Sequence, residues 1–193
     1  MLAHKKEFTN LKIHTLYSIC EGAIKIDDLA KYCKTNKVKA IGLADSYNLC
    51  GALEFAEKIS KVGTQPIIGT QINISSDNQI GKITLYATTE QGYRNLTKLS
   101  SLSYLKNKNS LEPYCEIEDL ILNNQDLILL TGNYNNFFGR LFYANKSKLI
   151  EKIIDKLKSS FSDRLYIEIQ RHGESPEINF ENFLLNLSSK FNL

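Results

Sequence analysis

Two histidines and several acidic or amide side chains fall where strands of this chain are predicted to end: His14, Asp45, Gln71 and the pair Glu168 and His172. One histidine at a strand end usually serves as a hydrogen-bonded structural residue. Two, grouped with two carboxylates, are instead the neutral imidazole and anionic oxygen donors of a divalent-metal or phosphate site. The elements that must gather them decide between these readings.

Those elements can be read from periodicity. Phe8 to His14 (FTNLKIH) alternates, with Phe8, Asn10, Lys12 and His14 on one side and Leu11 and Ile13 on the other, which predicts a strand. A loop runs through Ser18 and Gly22. Asp27 and Asp28 then precede Leu29, Ala30 and Cys33, a helix with acids in its first turn. The apolar run Ala40–Ala44, ending in Asp45, has the character of a buried parallel strand. A helix is predicted from about Cys50 to Val62, stopping at Gly63. Strands follow at 66–74 and 83–87 around the turn-rich 75–78. Helices are marked by Tyr93, Leu96, Leu99 and Leu102, by the stripe from Leu149 to Leu157, and by Phe180 to Leu187. Further strands are predicted at 126–130 and at 165–169, the latter carrying Glu168. Repeated strand–helix pairs predict an α/β fold, a parallel sheet with helices outside it, open or closed into a barrel. In such folds chemistry collects at the carboxyl ends of the strands.

Composition narrows the setting. The chain has 193 residues, 42% of them hydrophobic, enough for a substantial core. Its 24 Lys and Arg against 21 Asp and Glu leave a net charge of +3, far from the dense basic face of a dedicated nucleic-acid binder. Lys5, Lys6, Lys106 and Lys108 could touch DNA, but no aromatic residues interleave with them as a stacking platform requires, and scattered lysines read as solvated surface. No apolar run reaches the roughly 18 residues that span a bilayer, and the N-terminus lacks a signal-peptide stretch, so a cytoplasmic protein with no membrane partner is expected. Cys20, Cys33, Cys50 and Cys115 include no CxxC pair, which argues against a local zinc site and for reduced thiols. Cys33 and Cys50 are predicted to be small buried hydrophobes.

The stretch LKIHTLYSICEG (Leu11–Gly22) and the later ADSYNLCGALEFAEKISKVGTQPIIGTQINI resemble the opening of a PHP domain. The nearest likeness is to the N-terminal PHP domain of bacterial DNA polymerase III alpha subunits. It continues through EQGYRNLTKL (Glu90–Leu99), LILLTG (Leu127–Gly132) and YIEIQRHG (Tyr166–Gly173), in order across nearly the whole chain. The resemblance implies a distorted (β/α)7 barrel occupying 1–193, expected to stop before its last elements, with polymerase palm, fingers and thumb absent. In metal-binding members the barrel holds divalent ions on His, Asp and Glu ligands, which activate a water for phosphoester hydrolysis. Carried over residue by residue, His14, Asp45, Glu168 and His172 occupy remnant ligand positions. Lys12, Ser46, Gln71 and Lys82 stand where the family has other ligands. The motif Asp-His-Gly-Asn falls on Asp45, Ser46, Tyr47 and Asn48.

These substitutions are unfavourable for a cation cluster. Two like charges ~4 Å apart repel by about 4 kcal/mol at an effective dielectric near 20, and a divalent ion beside Lys12 meets about twice that. No bound metal and no catalytic residue are therefore expected in this chain. Lys12 is expected to supply the missing charge by reaching toward Asp45 or Glu168. The implied parent protein is a magnesium-dependent, DNA-directed DNA polymerase. Its partners would be DNA, the rest of the alpha chain and the separate proofreading exonuclease subunit. The alternative is an active PHP phosphoesterase or 3′–5′ exonuclease using Zn or Mn.

Overall fold

A computed structural model describes residues 8–106 and 112–193. Lys5, Lys6 and Lys108 lie outside the described residues. The first predicted helix is α1, Ile26–Asn36, whose Ile26, Leu29, Ala30 and Cys33 recur at helical spacing and are all buried. It stops where Lys37 turns left-handed (φ 52°). Strand β1 (Ala40–Ser46) leads into α2 (Ala52–Lys61), which buries Ala52, Phe55 and Ile59. These pieces share one apolar cluster around Phe55 and Leu43.

The rest of the chain builds the larger core. β2 (Gln65–Ser76) and β3 (Gln79–Ala87) are followed by α3 (Glu90–Lys106), β4 (Cys115–Glu116) and α4 (Ile117–Leu122). Then come β5 (Leu127–Leu130), α5 (Phe137–Tyr143), α6 (Ser147–Phe161), β6 (Leu165–Tyr166) and α7 (Ser175–Phe191). Phe137, Phe138 and Phe161 are completely enclosed with Ile72, Ile83 and Leu85. Among the described residues no helix is long and apolar enough to cross a membrane.

Among the described residues six strands form one sheet in the order β1-β2-β3-β5-β6, with β4 on the far end of β2. The sheet is mixed, which corrects the expectation of a parallel one. β1–β2, β2–β4 and β5–β6 are parallel, while β2–β3 and β3–β5 are antiparallel. Only Asp77 and Asn78 separate β2 from β3, both left-handed (φ 52° and 59°). Two such residues make a hairpin turn and leave no room for the crossover that parallel pairing needs.

The predicted strand at 8–14 is also corrected. It runs extended beside β1 but pairs regularly only at Ile13 opposite Leu43. Its main chain is held by Gly42 N–H to Asn10 O (2.8 Å), Ala44 N–H to Ile13 O (2.8 Å) and the Tyr86 hydroxyl to Leu11 O (2.9 Å). Gly42 permits this approach, because a Cβ there would lie 2.1 Å from the Leu11 carbonyl oxygen. Gly42→Ala is expected to cost about 2 kcal/mol by overpacking, read as a lower urea midpoint with earlier protease cleavage in 8–15.

The two ends of the sheet meet. Lys12 lies outside β1 and Glu168 just past β6, yet their side chains pair at 3.1 Å. The sheet therefore curls until its edges approach, a barrel-like closure made by the side chains of residues 156 positions apart. Two further expectations need correction. Glu168 lies beyond the end of β6 at Tyr166 rather than on a strand, since only two residues pair with β5. Cys50 is exposed, because it falls in the loop before α2, whereas Cys33 is buried as expected.

Candidate functional site

A cleft of about 560 Å3 opens between the two sheet edges and is lined by Lys12, His14, Gln71, Lys82, Glu168 and His172, among others. Six of the eight predicted positions thus share one cavity. Asp45 and Ser46 lie behind it and are buried. Gln71 sits inside β2 rather than at its end. It reaches the site because β1 stops beside it, Ser46 pairing with Gln71 in the register.

Asp45 is a structural hub. One carboxylate oxygen accepts the Thr15 N–H (2.6 Å) and the Ser18 hydroxyl (2.7 Å), and the other accepts the Thr15 hydroxyl (2.7 Å). The Ser18 hydroxyl has only one proton, and Asp45 takes it. His14 Nδ1, 3.3 Å from that oxygen, must therefore be the donor, which leaves Nε2 the basic nitrogen of the neutral ring. Burial lowers the His14 pKa, with Lys12 and Lys82 adding to the effect against the opposing pull of Glu21 and Asp45. His14 is neutral at pH 7.

Two ammonium-bearing side chains, Lys12 and Lys82, line the cleft. Lys12 Nζ donates to Glu168 at 3.1 and 3.4 Å, and not to Asp45. Gln170 also donates to Glu168, and the Glu168 N–H is held by Thr131 Oγ1 (3.0 Å). Lys82 Nζ pairs with Glu21 and donates to Ser46 Oγ (3.2 Å), while the Ser46 hydroxyl donates to Glu21 (2.5 Å). Burial alone would raise the Glu21 carboxyl, but bonds from Lys82 and Ser46 outweigh it and hold it below the usual range. Gln71 turns its amide to Thr84 Oγ1 (3.1 Å).

His172 is exposed, its ring Nε2 3.2 Å from Gln170 Oε1. Its loop is fixed by Glu177, whose carboxylate accepts the N–H groups of His172 (2.8 and 3.0 Å), Gly173 (2.9 Å) and Glu174 (3.2 Å). Burial would raise the Glu177 pKa, but the backbone donors at His172, Glu174 and Gly173 overcome that and lower it. A carboxyl depressed in the folded chain adds stability above its unfolded pKa of about 4.3, and that stability is lost as pH falls through the folded value. Glu177→Gln is accordingly expected to lower Tm at pH 7, with the difference from wild type closing below about pH 4.

Residues 10–172 match the PHP domain family. The chain belongs to the PHP family. Curated relatives named DNA polymerase III subunit alpha include that of Rickettsia felis, 39% identical over 177 residues, covering 91% of this chain and 15% of the relative. The Caulobacter vibrioides protein is 35% identical (89% and 16% covered) and the Vibrio cholerae protein 30% identical (97% and 16% covered). This PHP domain thus spans about 15% of their length. Among solved structures, a Bifidobacterium adolescentis protein described as a metal-dependent phosphoesterase superposes with TM-score 0.60 at 11% identity, over 96% of this chain and 84% of that one. A Chromobacterium violaceum amidohydrolase gives 0.58 at 11% identity, with the same coverage. Both likenesses concern the fold, and they agree with a barrel-like α/β architecture.

The residues present do not fit the divalent cluster that the family implies. Lys12 and Lys82 already supply the positive charge beside Glu168 and Glu21, and the Asp45 oxygens are taken by three donors. Among the described residues no three His, Cys, Asp or Glu side chains converge as a metal site. Sequence reasoning missed Thr15, Ser18 and Glu21, which lie in a loop without periodicity, and Tyr47. The one available signal was at Tyr47, a tyrosine where the family motif has glycine, and it is indeed left-handed (φ 66°).

Proposed function

We propose that this PHP domain is a metal-free, non-catalytic structural and docking part of a bacterial replicative DNA polymerase alpha chain. Template-directed, magnesium-dependent nucleotidyl transfer belongs to other parts of that chain. The observation that carries this reading is the Lys12–Glu168 pair, an internal ammonium joining the two sheet edges at the family's ligand positions. The relatives' names support the polymerase assignment. The domain braces the rest of the alpha chain in the cytoplasm and offers a surface to the proofreading exonuclease subunit, while DNA is a partner of the whole polymerase. The test is hydrolysis of a phosphodiester by the purified chain with added manganese or zinc. No turnover above buffer is expected. Metal-dependent turnover that disappears in Glu168→Gln would instead establish the phosphoesterase reading.

A further inference from the structure

Tyr47 is held in a left-handed backbone conformation that disfavours most residues with a Cβ, tyrosine among them (φ 66°). Its main chain is tied down by Tyr47 N–H to Gln71 O (2.8 Å) and by the Tyr104 hydroxyl to Tyr47 O (3.1 Å). Glycine would satisfy those two bonds without strain. The tyrosine adds a hydroxyl 3.5 Å from Asn73 Oδ1 and a ring lying 4.8 Å from Lys82 Nζ. The three N–H donors of that ammonium then have three destinations: Glu21, Ser46 Oγ and the negative face of the ring.

Glu21 comes from the loop between Thr15 and Ile24, whose first half is anchored by buried Thr15 and Ser18 and by Tyr17 packed on the smaller core, but whose tip is not fixed by burial. Ile19 at its tip is 83% exposed, and Leu16 and Ile24 are also exposed. Its internal bonds are local: Leu16 N–H to Ile24 O (3.0 Å) closes its base, and the N–H groups of Glu21 and Gly22 return to Ser18 O (3.0 and 2.9 Å). Ser18 anchors the first half through Asp45. The second half reaches the sheet through Glu21, which meets Lys82 of β3 and Ser46 of β1.

We propose that Tyr47, Lys82, Ser46 and Glu21 form a latch that pins the 15–24 loop to the sheet without a metal ion, with the strained Tyr47 retained because its ring caps Lys82. This rests on the reading of the pocket as metal-free. The latch is distinct from the Lys12–Glu168 closure: it fixes a loop to β1 and β3, whereas the closure joins sheet edges.

Amide hydrogen exchange followed by mass spectrometry on the chain tests this, comparing peptides from 16–24 with peptides from α6. Lys82→Met, Glu21→Gln and Tyr47→Asn should each speed exchange of the loop by about tenfold and leave α6 unchanged. Asparagine tolerates the left-handed backbone but has no ring. Tyr47→Asn combined with Lys82→Met should exchange no faster than Lys82→Met alone, because the ring acts through the ammonium. Lys82→Arg should keep most of the protection. α6 is the control for global unfolding, and a variant that loosens α6 is replaced by Lys82→Arg as the deciding comparison. Wild-type loop protection in both Tyr47→Asn and Lys82→Met, in a chain shown to carry no metal, overturns the latch and leaves the metal-free reading standing. Loop protection in the wild type that vanishes on EDTA treatment overturns both.

Discussion

Replacing Asp45 by alanine is expected to destabilise the chain by about 3 kcal/mol, measured as a loss of ΔG in urea unfolding. The carboxylate is only 1% exposed and accepts from Thr15 N–H, the Thr15 hydroxyl and the Ser18 hydroxyl. Its removal leaves three donors in a buried site without an acceptor. Each such donor costs about 1–3 kcal/mol, and relaxation of the loop reduces the sum. Asp45→Asn should cost about half as much, since the remaining oxygen can still accept and the Thr15 hydroxyl can rotate to receive the amide. Added manganese or zinc should leave both values unchanged. A loss below ~0.5 kcal/mol in Asp45→Ala would mean that the three contacts are incidental, the range of ordinary surface substitutions.

Lys12→Met should cost about 2 kcal/mol by the same measurement. The Lys12 and Glu168 side chains are 19% and 12% exposed, which places the pair between two regimes. Exposed pairs contribute about 0–1 kcal/mol, and breaking a fully buried pair costs about 3–5 kcal/mol because a charge is stranded. Glu168 keeps only the Gln170 amide once the ammonium is gone. Removing the stranded charge as well should recover stability, so Lys12→Met with Glu168→Gln is expected to be more stable than Lys12→Met alone. Additive losses in that double mutant would show that the pair is not coupled and that the sheet edges are held by main-chain contacts alone.

Much of this site was legible in the sequence, for identifiable reasons. Strand-end logic and the PHP resemblance chose Lys12, His14, Asp45, Ser46, Gln71, Lys82, Glu168 and His172, of which the cleft gathers six while Asp45 and Ser46 are buried outside its lining. The alternation FTNLKIH put Lys12 and His14 on one side, and both line the cleft, although Leu11 of the opposite set lines it too and the segment is not a regular strand. Period and facing are written in the side chains, but pairing depends on a neighbour that offers its edge at only a few residues. Helices α1, α2 and α6 followed from long stripes, whereas α5, seven residues with Gly139 as the third, gave too short a period to read. Glycine is needed there because a Cβ would sit 2.0 Å from the Tyr134 carbonyl oxygen.

What the sequence could not reveal were contacts made at a distance in the chain by unpatterned residues. Lys12 had two candidate acids, and the choice of Glu168 over Asp45 depends on Thr15 and Ser18 having already taken the Asp45 oxygens. The antiparallel hairpin was hidden by assuming that every strand alternates with a helix, when Asp77-Asn78 is itself a two-residue turn signal. Glu21 lies inside the resembling stretch LKIHTLYSICEG without having been singled out, and its pairing appears only when the loop folds onto Lys82.

The central claim is that ammonium groups belonging to the chain hold this PHP pocket together in place of divalent ions. The direct measurement is metal content by mass spectrometry after incubation of the chain with manganese and zinc and removal of free ions, paired with Tm in the presence and absence of EDTA. A pocket held by its own ammonium groups should retain no metal and show the same Tm in both conditions. Stoichiometric retained metal, with a Tm that falls on adding EDTA, would contradict the claim.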